Sequence, residues 1–257
     1  MIYVMLPAYN EEKALPVLLD KFSKLFEGNQ LPYEVVVVDD GSTDGTAGIA
    51  ERYARKIPLK LLKHGVNKGL GAAMRTGFSH IARISDSSDV VLTMDADNTH
   101  DPELALQMLK KTEGGADVVI ASRYAEGGEE VGLKLYRKIL SRGASFLLDT
   151  CFTVRGARDY TCGYRMYRAW TIKQAFDRYK ENFIVENSFV CMAEILIKIA
   201  YLPAQVEEVP LILRYDLKEG ESKMKKLKTI MRYMRFIVRE KKNHLRPALT
   251  HEAVEER

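Results

Sequence analysis

"YEVVVVDDGSTDGT", residues 33–46, joins an unbroken apolar run to a polar turn. Strands that are buried on both faces have continuous runs of Val, Ile and Leu, whereas strands with one solvent-exposed face alternate apolar and polar residues. The four consecutive valines therefore predict a central strand of a parallel sheet. Asp39 and Asp40 end that strand, and Gly41 permits the tight turn that follows.

The same order of strand and then helix repeats through the first half of the chain. Strand-like runs are "IYVMLPAY", "LKLLKH", "DVVLTMDAD" and "ADVVIASRY", and helix-length segments follow the first four strands at about 11–27, 46–56, 69–84 and 102–111. This alternation predicts an α/β fold with a mostly parallel sheet and helices on both faces. The second half predicts a long amphipathic helix at 132–152, a short strand after "DYTCG", helices near 170–179 and 187–202, and a closing strand at 205–216.

Composition limits the functional classes. The chain has 257 residues, of which 46% are hydrophobic and 29% charged, as in an ordinary globular protein. Its three irregularly spaced cysteines fit neither a disulfide framework nor a zinc site and predict a reducing compartment. The chain begins directly with a strand-like run, so no signal peptide is expected. No run is apolar enough to predict a membrane-spanning helix.

The positive charge is concentrated near the C-terminus. Residues 222–242 contain nine Lys or Arg and one Glu, so this segment is +8 and the remainder is −4. Binding of nucleic acid across the whole surface is therefore not expected. We divide the chain into a main domain at 1–221, a basic amphipathic helix at 222–245 and a flexible tail at 246–257.

Unusual polar loops follow each of the first four predicted strands. They are "PAYNEE", "DDGSTDGT", "NKGLG" and "DADNTHDP". In parallel sheets a ligand crevice lies beyond the carboxyl ends of the strands, so one shared site is expected. Taken singly, the first two loops are equally consistent with simple strand-to-helix turns. In the functional alternative, Asp39 accepts hydrogen bonds from a base or ribose.

The glycine-containing segment "NKGLGAAMRTG" matches neither of two common nucleotide-binding motifs. Met74 stands where the dinucleotide fingerprint has its third glycine, and the Gly-Lys-Ser/Thr of a P-loop is absent. A close approach of the backbone to a ligand at Gly69 remains the expectation, with Lys68 available for phosphate.

Asp95 and Asp97 in "MDADNTHDP" are separated only by Ala96. Mg²⁺ is typically held by one or two carboxylates plus substrate phosphates, and two aspartates after a strand can reach one ion. Ala96 is small enough for a substrate to lie against the backbone. The alternative is a solvated acidic turn, and the position at the crevice favours the metal site.

Arginines, which bind phosphate well, then follow at 123, 137, 142, 165 and 214, and some are expected to be surface residues.

Eight motifs in this order resemble those of family-2 glycosyltransferases with the GT-A fold, and most closely the dolichyl- or polyprenyl-phosphate mannose or glucose synthases. They are "PAYNEE", "VVDDGSTDGT", "NKGLGAA", "DADNTHDPE", "ASRY", "RKILSRGAS", "DYTCGYR" and "EVPLILR…GESKM", which together cover residues 1–224. The resemblance implies an inverting, metal-dependent transfer of a hexose, with mannose the first expectation. The donor would be a nucleotide-diphosphate sugar (GDP-mannose or UDP-glucose), and the acceptor a polyprenyl or dolichyl phosphate.

The resemblance also implies roles for individual residues. Donor binding would involve Pro7, Ala8, Tyr9, Glu11, Asp39, Asp40, Gly41, Lys68, Gly69, Asp95, Ala96, Asp97 and Arg214. Mg²⁺ or Mn²⁺ would be held by Asp95, Asp97 and Thr99, although relatives usually have Gln at the position of Thr99. The acceptor phosphate would be bound by Arg123, Arg137, Ser141, Ser222 and Lys223. Asp159 would orient the acceptor or the sugar, and the catalytic set would be Asp95, Asp97, Arg123 and Asp159.

The basic segment has apolar residues at helical spacing, namely Met224, Leu227, Ile230, Met231, Met234, Ile237 and Val238. This pattern is typical of a helix in an anionic membrane interface, and equally of a helix packed on the main domain. Many relatives continue into transmembrane helices, so we expect a peripheral enzyme on the cytoplasmic face of the membrane, with a membrane protein as a potential partner. The rival functions are a family-2 enzyme with a small-molecule or polysaccharide acceptor, and a non-catalytic adaptor that binds sugar nucleotides.

Overall fold

In the computed structural model, which describes residues 1–133, 135–217 and 226–244, strands and helices alternate as the sequence predicts. The strands are β1 (Ile2–Ala8), β2 (Tyr33–Asp39), β3 (Leu59–Lys63), β4 (Val90–Thr93), β5 (Val118–Ser122), β6 (Glu129–Val131), β7 (Arg165–Arg168), β8 (Val206–Pro210) and β9 (Ile212–Arg214). The helices are α1 (Ala14–Gly28), α2 (Thr46–Tyr53), α3 (Leu70–Ile84), α4 (Leu104–Glu113), α5 (Leu135–Phe152), α6 (Ala169–Tyr179), α7 (Cys191–Ala200) and α8 (Lys226–His244).

The main sheet has the strand order β3-β2-β1-β4-β7-β5-β8. Every strand pair in it is parallel except those of β7, which runs antiparallel between β4 and β5. The valines at 35–38 are fully buried, as expected for a strand covered on both faces. The predicted α/β fold with a mostly parallel sheet is therefore confirmed.

The predicted closing strand at 205–216 was wrong as a single element. It is two strands, because the chain leaves the main sheet at Pro210 and Leu211 turns it into a second sheet. Leu211 donates its N–H to Ser122 O (2.9 Å) and accepts from Glu129 N (2.9 Å). β9 then pairs in parallel with β6, which follows β5 in the chain. This two-stranded sheet fixes the segment that comes directly after Arg123.

The carboxyl ends of β1, β2 and β4 lie at one edge of the main sheet, because these strands are parallel and adjacent. The loop after β4 is tied to the second sheet, since Arg214 N donates to Thr99 O at 3.1 Å. It is also tied to the loop before β7, because the Thr93 hydroxyl donates to Gly163 O at 2.7 Å. The topology thus places the predicted polar loops at the same edge of the sheet.

Candidate active site

The loops after β1 and β2 are joined to each other by hydrogen bonds. The N–H groups of Asn10 and Glu11 donate to the hydroxyls of Ser42 (3.0 Å) and Thr46 (2.8 Å). In return, the Asn10 carboxamide oxygen accepts from Thr43 N at 2.8 Å. The polar residues of "PAYNEE" and "DDGSTDGT" therefore build a rigid paired turn, which is the structural alternative that the sequence left open.

The predicted base and ribose residues lie at the base of this paired turn. Pro7 and Ala8 end β1, and Ala8 is the register partner of Asp39 at the end of β2. Asp39 is buried, and one of its oxygens accepts from Ser42 N at 3.1 Å. Tyr9 is half-buried beside them. The structure brings these residues together, and their contact with a nucleotide stays a prediction.

Asp40 has a structural task that its assignment to donor binding did not include. Its carboxylate accepts from the His64 ring (2.6 Å), from Lys68 N (2.9 Å) and from Gly69 N (2.8 Å). The loop that follows β3 is thereby held against the end of β2. Asp40 thus acts by positioning Lys68, whose side chain is exposed at this edge.

Gly41, Gly69 and Gly71 allow close packing between segments of the chain. A Cβ on Gly69 would lie 2.2 Å from Asn187 O, and one on Gly71 would lie 1.7 Å from Glu186 O. A Cβ on Gly41 would lie 2.4 Å from the carbonyl carbon of Val66. The close approach that these glycines permit is therefore between segments of the chain itself, and the expected approach of the backbone at Gly69 to a ligand stays a prediction.

The acidic turn after β4 is compact and largely buried. Asp97 is 8% exposed and Thr99 3% exposed, whereas Asp95 is half-buried. The Thr99 hydroxyl donates to Asp97 Oδ1 at 2.6 Å, and Thr99 N approaches the same oxygen at 3.2 Å. A positive φ of 58° at Asn98 turns the backbone between them, and Asn98 is fixed by its bond to Ala14 O. Thr99 therefore orients Asp97 through this hydrogen bond, and its role as a third metal ligand stays a prediction.

The donor atoms of this turn fit a hard divalent cation. Asp95 and Asp97 supply carboxylate oxygens, the ligands that Mg²⁺ and Mn²⁺ take together with substrate phosphates. Across residues 1–133, 135–217 and 226–244, no group of three or more His, Cys, Asp or Glu side chains could hold a metal. An ion held by Asp95 and Asp97 would take its further oxygens from substrate phosphates or from water.

Arg123 is anchored by Asp159 in a bidentate pair. Its Nε and Nη2 donate to the two Asp159 oxygens at 2.7 Å each, and Nη2 also donates to the Thr161 hydroxyl. Asp159 is fully buried and also accepts from Cys162 N at 3.0 Å. Burial alone would raise the pKa of Asp159, but the Arg123 charge and these hydrogen bonds hold it below its usual range. Asp159 therefore anchors Arg123, and its predicted role toward the acceptor or the sugar stays a prediction.

Arg137 and Ser141 lie one turn apart on α5 and face the same cleft. Arg137 Nη1 donates to the Tyr215 hydroxyl at 2.7 Å, and its guanidinium stacks on the Tyr215 ring at 5.5 Å. Ser141 accepts from the Tyr124 hydroxyl at 2.8 Å. Burial raises the pKa of Tyr124 to about 12, so Tyr124 stays a neutral donor.

Arg214 was predicted to contact the donor, but its guanidinium is exposed and paired elsewhere. Nε and Nη2 donate to the Asp216 carboxylate at 2.9 and 2.8 Å. The Asp216 contact raises the pKa of Arg214. Its neighbour Leu213 lines the cleft instead. Ser222 and Lys223, the remaining predicted phosphate ligands, lie outside the described residues.

A cleft of about 240 Å³ connects the acidic turn with the arginines. Its polar lining includes Asp95, Asp97, Thr99, His100, Arg123, Arg137, Ser141 and Thr161. Its apolar lining includes Leu133, Leu140, Ala144, Phe189, Leu213, Ile230 and Tyr233. The cleft is therefore lined by acidic, cationic and apolar side chains together.

Helix α8 forms one wall of this cleft. Tyr233, Phe236 and Ile237 are buried against the main domain, and Phe236 contacts Phe152 of α5 at 5.8 Å between ring centroids. Arg239 donates from Nη1 to Glu186 (2.8 Å) and from Nη2 to the buried Glu194 (2.9 Å). The packed-helix alternative is therefore correct for this face.

The opposite face of α8 remains exposed. The exposed apolar side chains of α8 are Ile230, Met231, Met234 and Val238, and those of α5 are Leu135, Tyr136, Ile139, Leu140, Phe146 and Leu147. Helices α5 and α8 contact each other, and large exposed apolar patches mark interaction sites. None of the described helices is both long and apolar enough to cross a bilayer.

The sequence model of glycosyl transferase family 2 matches residues 3–178, which include the paired turn, the acidic turn and Arg123. The chain belongs to glycosyl transferase family 2. It is 35% identical over 239 residues to a dolichol-phosphate mannosyltransferase of Pyrococcus furiosus, covering 93% of this chain and 63% of that protein. It is 37% identical over 171 residues to a polyprenol monophosphomannose synthase of Mycolicibacterium smegmatis, covering 64% of this chain and 60% of that protein. The chain thus spans somewhat less than two thirds of each relative.

Solved structures support the fold of this family-2 chain. Mannosyl-3-phosphoglycerate synthase from Rubrobacter xylanophilus aligns over all of this chain and 79% of its own, with a TM-score of 0.60 and 17% identity. Glucosyl-3-phosphoglycerate synthase from Mycobacterium tuberculosis, solved with Mn²⁺, UDP and phosphoglyceric acid, aligns over 93% and 76%, with a TM-score of 0.62 and 18% identity. The predicted GT-A type of fold is confirmed.

Several lining residues of the family-2 cleft were not predicted. Thr161, Cys162 and Gly163 enter through the loop before β7, whose antiparallel placement the sequence does not reveal. Phe189 and Tyr233 come from distant segments. The motif "DYTCGYR" was a usable signal for the first three, whereas nothing local marked the other two. Burial raises the pKa of the Cys162 thiol to about 12, so it is an unreactive wall residue.

Proposed function

We propose that this chain transfers a hexose, in the first instance mannose, from a nucleotide-diphosphate sugar to a polyprenyl or dolichyl phosphate. The observation that carries the proposal is the combination of groups that line one cleft. Asp95 and Asp97, Arg123 and Arg137, and a set of apolar side chains all line it. A phosphate joined to a hydrocarbon tail is complementary to the arginines and to the apolar side chains. The names of the two curated relatives support the same acceptor class.

The donor would lie between the paired turn and the acidic turn. Asp39 and Tyr9 would contact the nucleoside, and Lys68 would lie close to the phosphates. Asp95 and Asp97 would hold Mg²⁺ or Mn²⁺, consistent with the Mn²⁺ and UDP in the glucosyl-3-phosphoglycerate synthase structure. Such an ion, when bound, would neutralise charge that builds on the departing diphosphate. The donor could be GDP-mannose or UDP-glucose.

The acceptor phosphate would bind at Arg123 and Arg137 and attack the anomeric carbon in a single displacement, which inverts its configuration. A phosphate is already anionic at neutral pH, so the cleft does not need a strong base to activate it. Asp159 would act only through Arg123, since it is fully buried and hydrogen-bonded to that side chain. The main contribution of the protein is preorganised charge at the reacting groups.

The exposed apolar residues of α5 and α8 would place the cleft at an anionic membrane surface, where the lipid acceptor resides. Cationic side chains stand among them, with Arg142 and Arg235 exposed, and such mixed apolar and basic surfaces favour the interface. This extends the predicted interface from α8 to α5. A peripheral location on the cytoplasmic face, and a membrane partner protein, belong to the same proposal.

The membrane part of the proposal is tested by vesicle binding. The double variant Phe146→Ser and Met234→Ser removes one exposed apolar side chain from each helix and should bind anionic phospholipid vesicles at least about tenfold more weakly. The control Val17→Ser and Ile84→Ser removes two similarly exposed side chains from α1 and α3 and should bind as the wild type does. Equal loss in both double variants would contradict the assignment of this surface.

The transfer itself is tested with labelled GDP-mannose and UDP-glucose, each offered with farnesyl phosphate, farnesol or soluble phosphate monoesters in the presence of Mn²⁺. We expect label in the organic phase only with farnesyl phosphate, and none with Asp97→Asn. Label that appears only in aqueous products would favour the rival family-2 enzyme with a soluble acceptor. Nucleotide binding without any transfer would favour the non-catalytic adaptor.

A further inference from the structure

Arg123 has one guanidinium nitrogen that its anchor does not use. A guanidinium carries five N–H donors. Nε and Nη2 account for three of them, through Asp159 and Thr161. The two N–H groups of Nη1 make no hydrogen bond with the part of the chain that the structure describes. Any phosphate that Arg123 binds in the cleft would therefore be bound through Nη1.

The group nearest to Nη1 is a second carboxylate. Glu130 Oε1 lies 3.5 Å from Arg123 Nη1, which is close enough for an ion pair and too long for a good hydrogen bond. Glu130 is only 4% exposed, and neither of its oxygens has a hydrogen-bond partner among the described residues. A buried carboxylate without hydrogen bonds is costly, so its place beside Arg123 requires an explanation.

The position of Glu130 is fixed by its backbone. Glu130 is the middle residue of β6. Its register partner in β9 is Leu213, which lines the cleft. Glu129, the preceding residue, is exposed because successive side chains of a strand point to opposite faces. The chain thus offers two adjacent glutamates, one against Arg123 and one in solvent.

Two carboxylates form ion pairs with the Arg123 guanidinium. Asp159 and Glu130 each bring one negative charge to a single guanidinium. Asp159 pairs with Nε and Nη2, whereas Glu130 lies beside Nη1. The negative charge of Glu130 therefore opposes the binding of a further anion at Nη1. A phosphate that approaches Nη1 must share it with Glu130 or displace it, and the opposition grows with the charge of the phosphate.

Building on the proposed function, we propose that Glu130 is a specificity-determining residue, which acts through Arg123 to weaken the binding of the dianionic acceptor phosphate more than that of the monoanionic glycosyl phosphodiester. Before the acceptor arrives, Glu130 serves as the counter-ion of Nη1. Its like charge then keeps a phosphate monoester from binding so tightly that the cleft is held in an unproductive complex.

The test measures binding of two probes that differ by one charge, farnesyl phosphate and its methyl ester, by calorimetry without a sugar donor. Glu130→Gln keeps the size of the side chain and removes its charge. We expect it to tighten farnesyl phosphate by about tenfold, which corresponds to about 1.4 kcal/mol, and to tighten the methyl ester clearly less. Glu129→Gln, which removes the same charge on the exposed face, should change neither affinity.

A Glu130→Gln variant with unchanged or weaker affinity for farnesyl phosphate would overturn the inference, as would equal tightening of both probes or a wild type that binds neither. If Glu130 had a purely structural role, Glu130→Gln would lower the melting temperature of the protein. Its effect on affinity would then be the same for both probes, whatever their charge. The proposed function can fail separately: if the probes bind as expected but no sugar reaches any lipid, the assignment of Glu130 stands and the transfer reaction is wrong.

Discussion

Replacing Asp159 by Asn tests whether this carboxylate is the anchor of Arg123. The side chain keeps its shape but loses its charge and one acceptor oxygen. Asp159 is fully buried, and in the wild type it accepts two 2.7 Å bonds from the guanidinium. It also accepts from the N–H groups of Arg123, Thr161 and Cys162 at 3.0–3.2 Å. The substitution therefore leaves a largely buried arginine, 11% exposed, with Glu130 as its remaining ion-pair partner.

The expected loss can be estimated from the burial of this pair. Removal of one partner of a buried ion pair costs about 3–5 kcal/mol. For a domain of this size, each kcal/mol lowers the melting temperature by about 2 °C. The Asp159→Asn variant should therefore melt about 6–10 °C below the wild type. Asp177→Asn, which alters an exposed carboxylate on α6, should melt within about 1 °C of the wild type.

The difference should depend on pH in a defined direction. The folded-state pKa of Asp159 is lowered, so the pair stabilises the fold above the unfolded-state value of about 3.9. That stabilisation is lost as the pH falls through the lower folded-state value. Calorimetric melting of both proteins between pH 7 and pH 3 measures this. A melting temperature for Asp159→Asn within 1–2 °C of the wild type at pH 7 would refute the anchoring role.

Two further substitutions test the turns that build the site. Thr99→Val removes the 2.6 Å hydrogen bond to Asp97 Oδ1, so the rate of turnover should fall about tenfold or more. Thr99→Ser keeps the hydroxyl and should restore turnover. Full turnover in the valine variant would contradict the orienting role of Thr99. Gly71→Ala places a Cβ 1.7 Å from Glu186 O, so the free energy of unfolding should fall by about 1–3 kcal/mol or more. Gly143→Ala on α5, where nothing lies within 4 Å, should raise it by up to about 1 kcal/mol. Equal effects of the two alanines would contradict the close packing at Gly71.

The sequence predicted the strands with the strongest local signal. Four consecutive valines and the polar loops after β1 to β4 were sufficient, because burial on both faces and turn chemistry are local properties. The site was predicted best where a parallel strand ends, as at Asp95 and Asp97.

The pairing of charges could not be predicted in the same way. Asp159 and Arg123 are 36 residues apart, and they meet because β7 inserts antiparallel beside β5. No local sequence pattern marked Glu130 as a buried residue of the site, since its burial depends on the pairing of β6 with β9. Arg214 shows the reverse: the motif placed it at the site, the structure pairs it locally with the exposed Asp216, and its contact with a donor stays a prediction.

The central claim is that the cleft joins the anomeric carbon of a sugar to the phosphate oxygen of a lipid. The most direct measurement is ¹H and ³¹P NMR of the lipid product formed from GDP-mannose and farnesyl phosphate. We expect a phosphodiester at the anomeric carbon with the configuration opposite to that of the donor. A retained configuration, a sugar attached elsewhere, or release of free mannose alone would contradict the proposed transfer.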